Sequence, residues 1–333
     1  MKRIFSGIQP TGDIHLGNYV GAIRHWVHLT EEYDCIYCVV DYHAITVEYE
    51  IDKLKDRVLE TALILLACGL SPEKCKIFVQ SHVPEHTELA WIFNCVTPIG
   101  ELERMTQFKE KSKQHRANIN MGLMDYPVLQ AADILIYKAG FVPVGEDQVQ
   151  HVELSREVAR RFNSRFGNIF PEPQVILSRA PRILGTDGES KMSKTLNNYI
   201  GILECPDSPG ILKGNIMWEK LRTAVTDVNR VRRKDPGNPE VCNIYTIHRA
   251  FSENDTLLEI DKGCRTAAIG CIDCKTQLFS NICKELVPIR AKADDLMKNK
   301  DYIMDVLNEG AKSCRRIAKK TLHEVREVLG ILT

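Results

Sequence analysis

Short apolar runs of β type alternate with stretches of helical periodicity near the start of the chain. Residues 3–8, 34–41 and 76–80 are predicted as strands, whereas residues 16–32 and 54–68 carry apolar side chains at helical spacing. This alternation predicts βαβ units, in which parallel strands are covered by helices on both faces. We therefore expect a doubly wound α/β fold that binds ligands at the carboxyl ends of its strands.

The rest of the chain is predicted to be mainly helical. Residues 84–165 have mostly helical patterns, residues 174–177 form one more short strand, and helical patterns dominate the remainder. The sequence thus predicts a Rossmann-like domain over residues 1–205, with a helical insertion at about 84–140. A helical C-terminal domain is expected over residues 206–333.

Charge and composition restrict the class of protein. The 333 residues include 44 basic and 44 acidic side chains, so a nucleic acid would have to bind a local basic patch. The longest apolar stretch, residues 62–68, is far shorter than the roughly 20 residues of a membrane span, and no signal peptide is recognisable. We expect a cytoplasmic protein, in which closely spaced members of the 12 cysteines would serve as metal or cluster ligands.

Two segments have the composition of phosphate-binding sites. Residues 9–18 follow the first strand and open a helix, whose free N–H groups attract phosphate, and Gly17 leaves room for a nucleotide. His15 and Asn18 could donate hydrogen bonds to phosphate oxygens there. In residues 191–195, two lysines could clamp a polyphosphate as a phosphate bond breaks. Each segment alone also fits a tight turn or a solvated charged loop.

Together the two segments resemble the class I aminoacyl-tRNA synthetases. Residues 15–18, His-Leu-Gly-Asn, match the HIGH motif, and residues 191–195 match KMSKS with threonine as the last residue. The resemblance implies an ATP-dependent enzyme with Mg²⁺ on the phosphates. It implies catalytic roles for His15, Asn18, Lys191 and Lys194. The residues that it places around ATP are Gln9, Pro10, Thr11, Gly17, Asn18, Gly145, Glu146, Asp147, Ile183, Lys191, Met192, Ser193, Lys194 and Thr195.

Three further segments, residues 5–12, 100–111 and 144–148, resemble the tryptophanyl-tRNA synthetases, and the likeness covers nearly the whole chain. It implies that the chain activates L-tryptophan with ATP, releases pyrophosphate, and transfers tryptophan from the adenylate to tRNA(Trp). It also implies a homodimer. The residues that it places around tryptophan are Phe5, Gly7, His43, Tyr126, Gln130, Asp133, Val142, Val144 and Gln148.

The chemistry of indole supports a role for Asp133. Tyr126, Gln130 and Asp133 are spaced so that one helix face can carry all three. Indole has a single N–H donor, and Asp133 is the only charge in the apolar stretch 128–137, although an exposed helix acid would also fit. Many bacterial tryptophan enzymes have methionine where this chain has Gln130, and tyrosine enzymes have glutamine in a comparable stretch. A tyrosine-specific synthetase therefore stays an alternative.

Four cysteines, Cys242, Cys264, Cys271 and Cys274, are spaced as C-x21-C-x6-C-x2-C. Such thiolates bind zinc or an iron–sulfur cluster, and the spacing does not separate the two. The pattern resembles a branch of the tryptophanyl-tRNA synthetases that holds a [4Fe–4S] cluster and has glutamine at the Gln130 position. We therefore expect a [4Fe–4S] cluster, with zinc as the alternative.

Two basic groups are candidates for RNA contact. One covers residues 230–234, and the other, on the last predicted helix, consists of Lys312, Arg315, Arg316, Lys319 and Lys320. Solvated helix faces have the same composition. Besides a tyrosine enzyme, the alternatives are a non-catalytic paralogue that binds RNA or senses tryptophan, and an unrelated nucleotidyltransferase with a HIGH-type loop.

Overall fold

Five parallel strands form the centre of the molecule. The computed structural model describes residues 1–332 apart from positions 11, 115–118, 179–180, 182 and 209. The strands are β1 (Arg3–Ile8), β2 (Asp34–Val39), β3 (Cys75–Val79), β4 (Phe141–Val144) and β5 (Gln174–Leu177). Their order is β3-β2-β1-β4-β5. The predicted parallel α/β sheet is confirmed, including four of its strands.

Helices connect the strands and form the C-terminal part. In chain order they are α1 (Leu16–Asn18), α2 (Arg24–Leu29), α3 (Asp41–Ala44), α4 (Ile51–Ala67), α5 (Glu85–Asn94), α6 (Ile99–Arg104), α7 (Thr106–Gln114), α8 (Met121–Leu135), α9 (Val149–Phe166), α10 (Ile216–Thr223), α11 (Asn243–Phe251), α12 (Asn254–Arg265), α13 (Cys271–Met297) and α14 (Lys300–Leu329). A π-helical segment, Tyr19–Ile23, joins α1 to α2. Among the described residues, no helix is long and apolar enough to cross a membrane.

Strand β4 was not predicted from the sequence, although the rest of residues 84–165 is mostly helical, as predicted. It has only four residues, and one of them, Pro143, is unfavourable in a central strand because it lacks an N–H donor. The strand nevertheless lies between β1 and β5. The carbonyl oxygen of Pro143 accepts a hydrogen bond of 2.9 Å from the buried Ser6 hydroxyl of β1. The extended conformation of β4 therefore depends on its pairing with β1 and β5, and the local hydrophobic pattern of its four residues does not predict it.

The side chains of β1 divide the core into two layers. Ile4 packs with α2, α4 and α13 on one face of the sheet, whereas Phe5 packs with α5, α8, α9 and α14 on the other. Since successive side chains of a strand point to opposite faces, both faces of β1 are apolar and buried. Gly7 shares the face of Phe5, and a methyl group there would come within 2.8 Å of the Val40 side chain.

The last helix completes the second layer. Ala311, Cys314 and Leu322 of α14 are buried among Phe5 and side chains of β2, β3 and α8. At Gly310 the helix approaches strand β3 so closely that a methyl group would overlap the Ile77 carbonyl oxygen. Helix α14 of the C-terminal part therefore packs directly on the parallel sheet. The domain boundary at residue 205 stays a prediction.

Replacing Gly310 with alanine is expected to lower the free energy of unfolding by about 3 kcal/mol, because α14 must shift away from β3. Urea denaturation followed by circular dichroism measures the change. Gly21→Ala serves as the control, since nothing lies within 4 Å of its added methyl group. Equal stability of the two variants would contradict the close packing of α14 on the sheet.

Candidate functional site

The candidate site lies where the strand order reverses, between β1 and β4. The chain leaves β1 through residues 9–18 and leaves β4 through residues 145–148, so both segments start from the same edge of the sheet. Such a switch point at the carboxyl ends of parallel strands is the usual ligand site of doubly wound folds. The structure thus brings the predicted ATP segments together. Thr11, which was also predicted to bind ATP, lies outside the described residues.

The HIGH-type turn is held by reciprocal hydrogen bonds at the start of α1. The Asn18 N–H donates to Nδ1 of His15 at 3.3 Å, and the His15 N–H donates to Oδ1 of Asn18 at 3.2 Å. Because Nδ1 is an acceptor, a neutral His15 carries its proton on Nε2. Burial lowers the pKa of His15 to about 4, so this side chain is neutral at pH 7. His15 can therefore donate one hydrogen bond to a phosphate but brings no positive charge.

The KMSKS-type loop, residues 191–195, is fastened to the HIGH-type turn. The Lys194 ammonium lies 3.1 Å from Oδ1 of Asp13, and the Tyr199 hydroxyl donates to Oδ2 of Asp13 at 2.6 Å. Burial alone would raise the pKa of Asp13, but the hydrogen bonds from Tyr199 and Lys194 lower it below its usual value. The backbone N–H of Leu16 also donates to the Ile200 carbonyl at 2.9 Å. The two predicted phosphate-binding segments thus form one structural unit.

The other lysine of the loop faces the segment after β4. The Lys191 ammonium lies 3.5 Å from Oδ1 of Asp147. The Asn198 side chain fixes the backbone of the loop. It accepts a hydrogen bond from the Ser193 N–H at 2.7 Å and donates one to the Lys191 carbonyl at 3.2 Å. Ile183 and Met192 are buried in the first core layer. Both lysines are therefore paired with carboxylates at the mouth of the site.

The remaining residues predicted around ATP surround this unit. A methyl group at Gly17 would meet the His15 ring at 3.0 Å, which is tight, and Cβ of Met192 at 3.9 Å, so Gly17 lies between the HIGH-type turn and the KMSKS-type loop. Gln9, Pro10, Gly145 and Glu146 belong to the segments that leave β1 and β4, and Thr195 follows Lys194. The predicted set is therefore gathered at one edge of the sheet, apart from the undescribed position 11.

The predicted amino-acid pocket lies beside the ATP segments. Phe5 of β1 and Val142 and Val144 of β4 belong to one apolar cluster with helix α8, and Gly7 lies on the same face of β1 as Phe5. The His43 and Tyr126 rings meet edge to face, with centroids 6.1 Å apart. The Gln130 amide lies 3.5 Å from the Gln148 side-chain oxygen. Helix α8 thus carries Tyr126, Gln130 and Asp133 together, as the spacing predicted.

Asp133 is 1% exposed and is surrounded by hydrogen-bond donors. His43 donates to Oδ2 at 2.8 Å, His86 donates to Oδ1 at 2.6 Å, and the Gln80 amide lies 2.8 Å from both oxygens. The Tyr137 hydroxyl in turn lies 2.6 Å from Nε2 of His86. Burial raises the pKa of Asp133, but the hydrogen bonds from the two histidines outweigh burial and hold the pKa well below its usual value. Asp133 is therefore an ionised, accept-only group in an apolar setting.

Sequence reasoning did not identify Gln80, His86 and Tyr137 as part of the site. Gln80 directly follows β3 at the carboxyl edge of the sheet, and His86 lies in the first turn of α5. Both are fully buried polar side chains. The position of Gln80 at a strand end was an available signal, because that edge of a parallel sheet holds the ligand. His86 carried no comparable signal.

The four cysteines of the C-terminal part lie near one another. Burial raises the pKa of Cys274, and the charges of Cys242, Cys264 and Cys271 raise it further. An Arg230 guanidinium nitrogen lies 3.8 Å from the Cys264 sulfur. Within the described ranges, no three His, Cys, Asp or Glu side chains are arranged so that they could hold a metal ion. The metal assignment therefore stays a prediction.

Comparison with known proteins identifies the family. Residues 1–286 match the family described as tRNA synthetases class I (W and Y). The whole chain is 52% identical to the tryptophan–tRNA ligase of Deinococcus radiodurans, with 99% of that protein covered, and 46% identical to that of Thermotoga maritima, with 99% of both chains covered. The tryptophanyl-tRNA synthetase of Campylobacter jejuni, solved with ADP and tryptophan, has a TM-score of 0.86 and 33% identity over 99% of this chain and 100% of that one. With such similarity over their full length, the chain belongs to the class I aminoacyl-tRNA synthetases of the tryptophan type.

Proposed function

We propose that the chain is a tryptophan–tRNA ligase whose two ATP segments and α8 pocket perform the activation step. The tryptophan carboxylate attacks the α-phosphorus of ATP, and pyrophosphate leaves as tryptophanyl-adenylate forms. The 3′-terminal ribose of tRNA(Trp) then attacks the activated carbonyl and releases AMP. Because no covalent enzyme intermediate is needed, the protein acts by aligning the reactants and stabilising charge. The observation that carries this proposal is the pairing of Lys194 with Asp13, just before the HIGH-type turn, and of Lys191 with Asp147 after β4, which gathers both lysines at the ATP segments.

The lysines of the KMSKS-type loop are proposed to bind the leaving pyrophosphate. Lys194 and Lys191 are 52% and 54% exposed, so their ammonium groups can exchange Asp13 and Asp147 for phosphate oxygens. Once Lys191 has moved to phosphate, the Asp147 carboxylate is available to accept hydrogen bonds from ribose hydroxyls. Mg²⁺, which prefers oxygen ligands and keeps several waters, would neutralise the same phosphates. His15 and Asn18 add neutral donors at the start of α1.

Asp133 is proposed to accept the indole N–H of tryptophan. Its two oxygens already receive His43, His86 and a shared Gln80 amide. Because the Gln80 amide contacts both oxygens, it can keep one hydrogen bond while the indole N–H takes the other position. His86 is a positioning residue in this scheme, because its ring links the Asp133 carboxylate to the Tyr137 hydroxyl and does not contact the substrate. The pocket would then leave its buried acceptor unpaired when an analogue lacks the N–H group.

Amino-acid-dependent exchange of pyrophosphate into ATP tests this function directly. We expect strong exchange with tryptophan and little with tyrosine. Exchange with tyrosine would revive the alternative raised by Gln130, although the full-length similarity to tryptophan enzymes weighs against it. Absence of exchange with both amino acids would indicate the non-catalytic paralogue. An unrelated nucleotidyltransferase is set aside by the family match.

The four cysteines are proposed to hold a [4Fe–4S] cluster, with zinc as the alternative. Four thiols whose charges influence one another suit the ligand set of either metal site. Arg230 beside Cys264 would offset part of the negative charge of thiolate ligands. Aminoacylation is redox-neutral, so a structural role is proposed: the group holds α12 and α13 in the C-terminal region, which would read the anticodon.

Replacing Cys271 with serine is expected to impair tRNA charging at least tenfold more than tryptophan-dependent pyrophosphate exchange, because the ATP site lies in another part of the chain. Charging and exchange rates are compared on one preparation, with iron and zinc content measured in parallel. Cys283→Ser is the control, since Cys283 is a buried cysteine of the same helix outside the four-cysteine group. Equal loss of charging and exchange would point to global destabilisation instead.

A homodimer is proposed from an apolar surface near α5. Trp91, Ile99 and Met121 are 71%, 65% and 73% exposed, and a contiguous apolar patch of such side chains would suit a protein interface. The Asn94 amide donates to Asp125 at 2.9 Å and so links α5 to α8, whose first residue is Met121. Trp91→Glu should shift the sedimentation coefficient from that of a dimer to that of a monomer, whereas an unchanged dimer would place the interface elsewhere.

The expected cytoplasmic location of the protein stays a prediction.

A further inference from the structure

A cavity of about 490 Å³ lies at the edge of the sheet opposite the ATP site. Arg3 begins β1 and Lys138 precedes β4, so both mark the amino ends of the strands, whereas the ATP segments follow their carboxyl ends. Helix α14 forms the other wall. The residues that line this cavity, the basic pocket, are Arg3, Lys138, Ser313, Arg316, Ile317, Lys320, Thr321 and Glu324.

The basic pocket has more positive charge than the fold itself requires. Its lining holds four cations and one carboxylate, a net charge of +3. Glu324 pairs with Lys138 at 2.5 Å, and Asp34, which lies outside the lining, pairs with Arg3 at 2.8 Å. In the part of the chain that the structure describes, Arg316 and Lys320 have no ion-pair partner. Like charges four residues apart destabilise a helix, so this pair is unexplained by folding.

The donors of the basic pocket match the chemistry of phosphate. Arg316 offers a planar guanidinium fork, Lys320 offers an ammonium, and Ser313 and Thr321 add hydroxyl groups on the same wall. Another cation of this helix, Arg315, is used differently, because it pairs with the buried Glu85 at 2.9 Å. The predicted basic patch of α14 is thus divided: Arg315 serves packing, whereas Arg316 and Lys320 face the cavity.

We propose that the basic pocket binds phosphate groups of a polyanion, either the phosphodiester backbone of tRNA or a free oligophosphate. Binding of tRNA at this pocket rests on the proposed function as a tryptophan–tRNA ligase, whereas binding of a free oligophosphate does not. Cations converge on the cavity from β1, the turn after α8, and α14, so a ligand with several anionic oxygens can contact all of them at once. A single surface helix would not provide such an arrangement.

The test compares two double variants of α14 that each remove two positive charges. R316Q/K320Q removes the unpaired cations of the basic pocket, whereas K312Q/K319Q removes two exposed lysines of the same helix outside the pocket. Binding of tRNA is measured at several salt concentrations. Binding of inorganic tripolyphosphate is measured by calorimetry in proteins that also carry Lys191→Met and Lys194→Met, which removes the lysines proposed to bind pyrophosphate in the catalytic site. Circular dichroism confirms that both variants are folded.

If tRNA is the source, R316Q/K320Q weakens tRNA binding about tenfold near 0.15 M salt and reduces the slope of log affinity against log salt by about 1.5, while K312Q/K319Q changes the slope less. If a free oligophosphate is the source, R316Q/K320Q loses tripolyphosphate binding and keeps tRNA binding. Unchanged binding of both ligands, or equal losses in both double variants, would overturn the proposal. Tryptophan-dependent pyrophosphate exchange is measured on the parent protein in parallel. If exchange is present while the basic pocket fails these tests, only the pocket proposal is wrong and the proposed function stands.

Discussion

Replacing Lys194 with methionine is expected to lower the rate constant for tryptophan activation by about 100- to 1000-fold, the usual effect of losing one charge-stabilising group. The KM for tryptophan changes little, because Lys194 lies beside Asp13 at the ATP segments and not beside Asp133. Methionine keeps the length of the side chain and removes only the charge. Pre-steady-state measurement of adenylate formation gives the rate constant.

Lys74→Met is the matched control for Lys194→Met. Lys74 is 51% exposed and pairs with Glu31 at 2.6 Å, so its exposure and pairing resemble those of Lys194, although it lies on another side of the sheet. Activation by Lys74→Met should stay within twofold of the parent. A Lys194→Met protein with parental activation would show that the KMSKS-type loop does not contact the reacting phosphates.

Replacing Asp133 with asparagine is expected to lower kcat/KM for tryptophan by about 100-fold, because a hydrogen bond to a charged group contributes about 1.5–3 kcal/mol. The KM for ATP stays within a few-fold of the parent value. The variant also loses its preference for tryptophan over benzothienylalanine, in which sulfur replaces the indole N–H. Exchange kinetics with both amino acids measure this preference, and a parental ratio would exclude Asp133 as the indole acceptor.

Asp125→Asn is the control for Asp133→Asn, because Asp125 is a half-buried carboxylate of the same helix whose partner is Asn94. It should keep the preference for tryptophan.

Asp133 also makes the free energy of unfolding depend on pH. Since its pKa in the folded state lies below the ordinary value of 3.8, the ionised carboxylate stabilises the fold above that pH, and this contribution is lost as the pH falls further. Acid unfolding of Asp133→Asn should be correspondingly less steep.

Much of the sheet could be predicted from local pattern, because β1, β2 and β3 are runs of five or six mostly apolar residues separated by helices. Strand β4 could not, since four residues with a proline lack a periodic signal. Its place between β1 and β5 depends on pairing across long stretches of chain. The ATP segments were recognisable because residues 15–18 and 191–195, two short contiguous stretches, together resemble the HIGH and KMSKS motifs of class I synthetases.

The amino-acid pocket was only partly predictable. Asp133 was assigned to the pocket by the resemblance, and its position as the only charge in the apolar stretch 128–137 supported that assignment. Its partners lie far away in the sequence, with His86 47 positions and Gln80 53 positions before it. No spacing rule links these residues to Asp133, because β3, α5 and α8 are brought together only when the sheet assembles. The hydrogen bonds that keep Asp133 ionised could therefore be found only in three dimensions.

The packing of α14 against the sheet has a consequence for synthesis of the protein. This helix follows all five strands in the chain, yet its apolar side chains complete the layer that contains Phe5 of the first strand. Until α14 has been synthesised, the nascent chain therefore leaves that apolar layer uncovered. A chain truncated before residue 300 would keep every residue assigned to ATP and tryptophan but lack this cover. Premature termination should therefore yield aggregated or degraded protein, and not a shorter working enzyme.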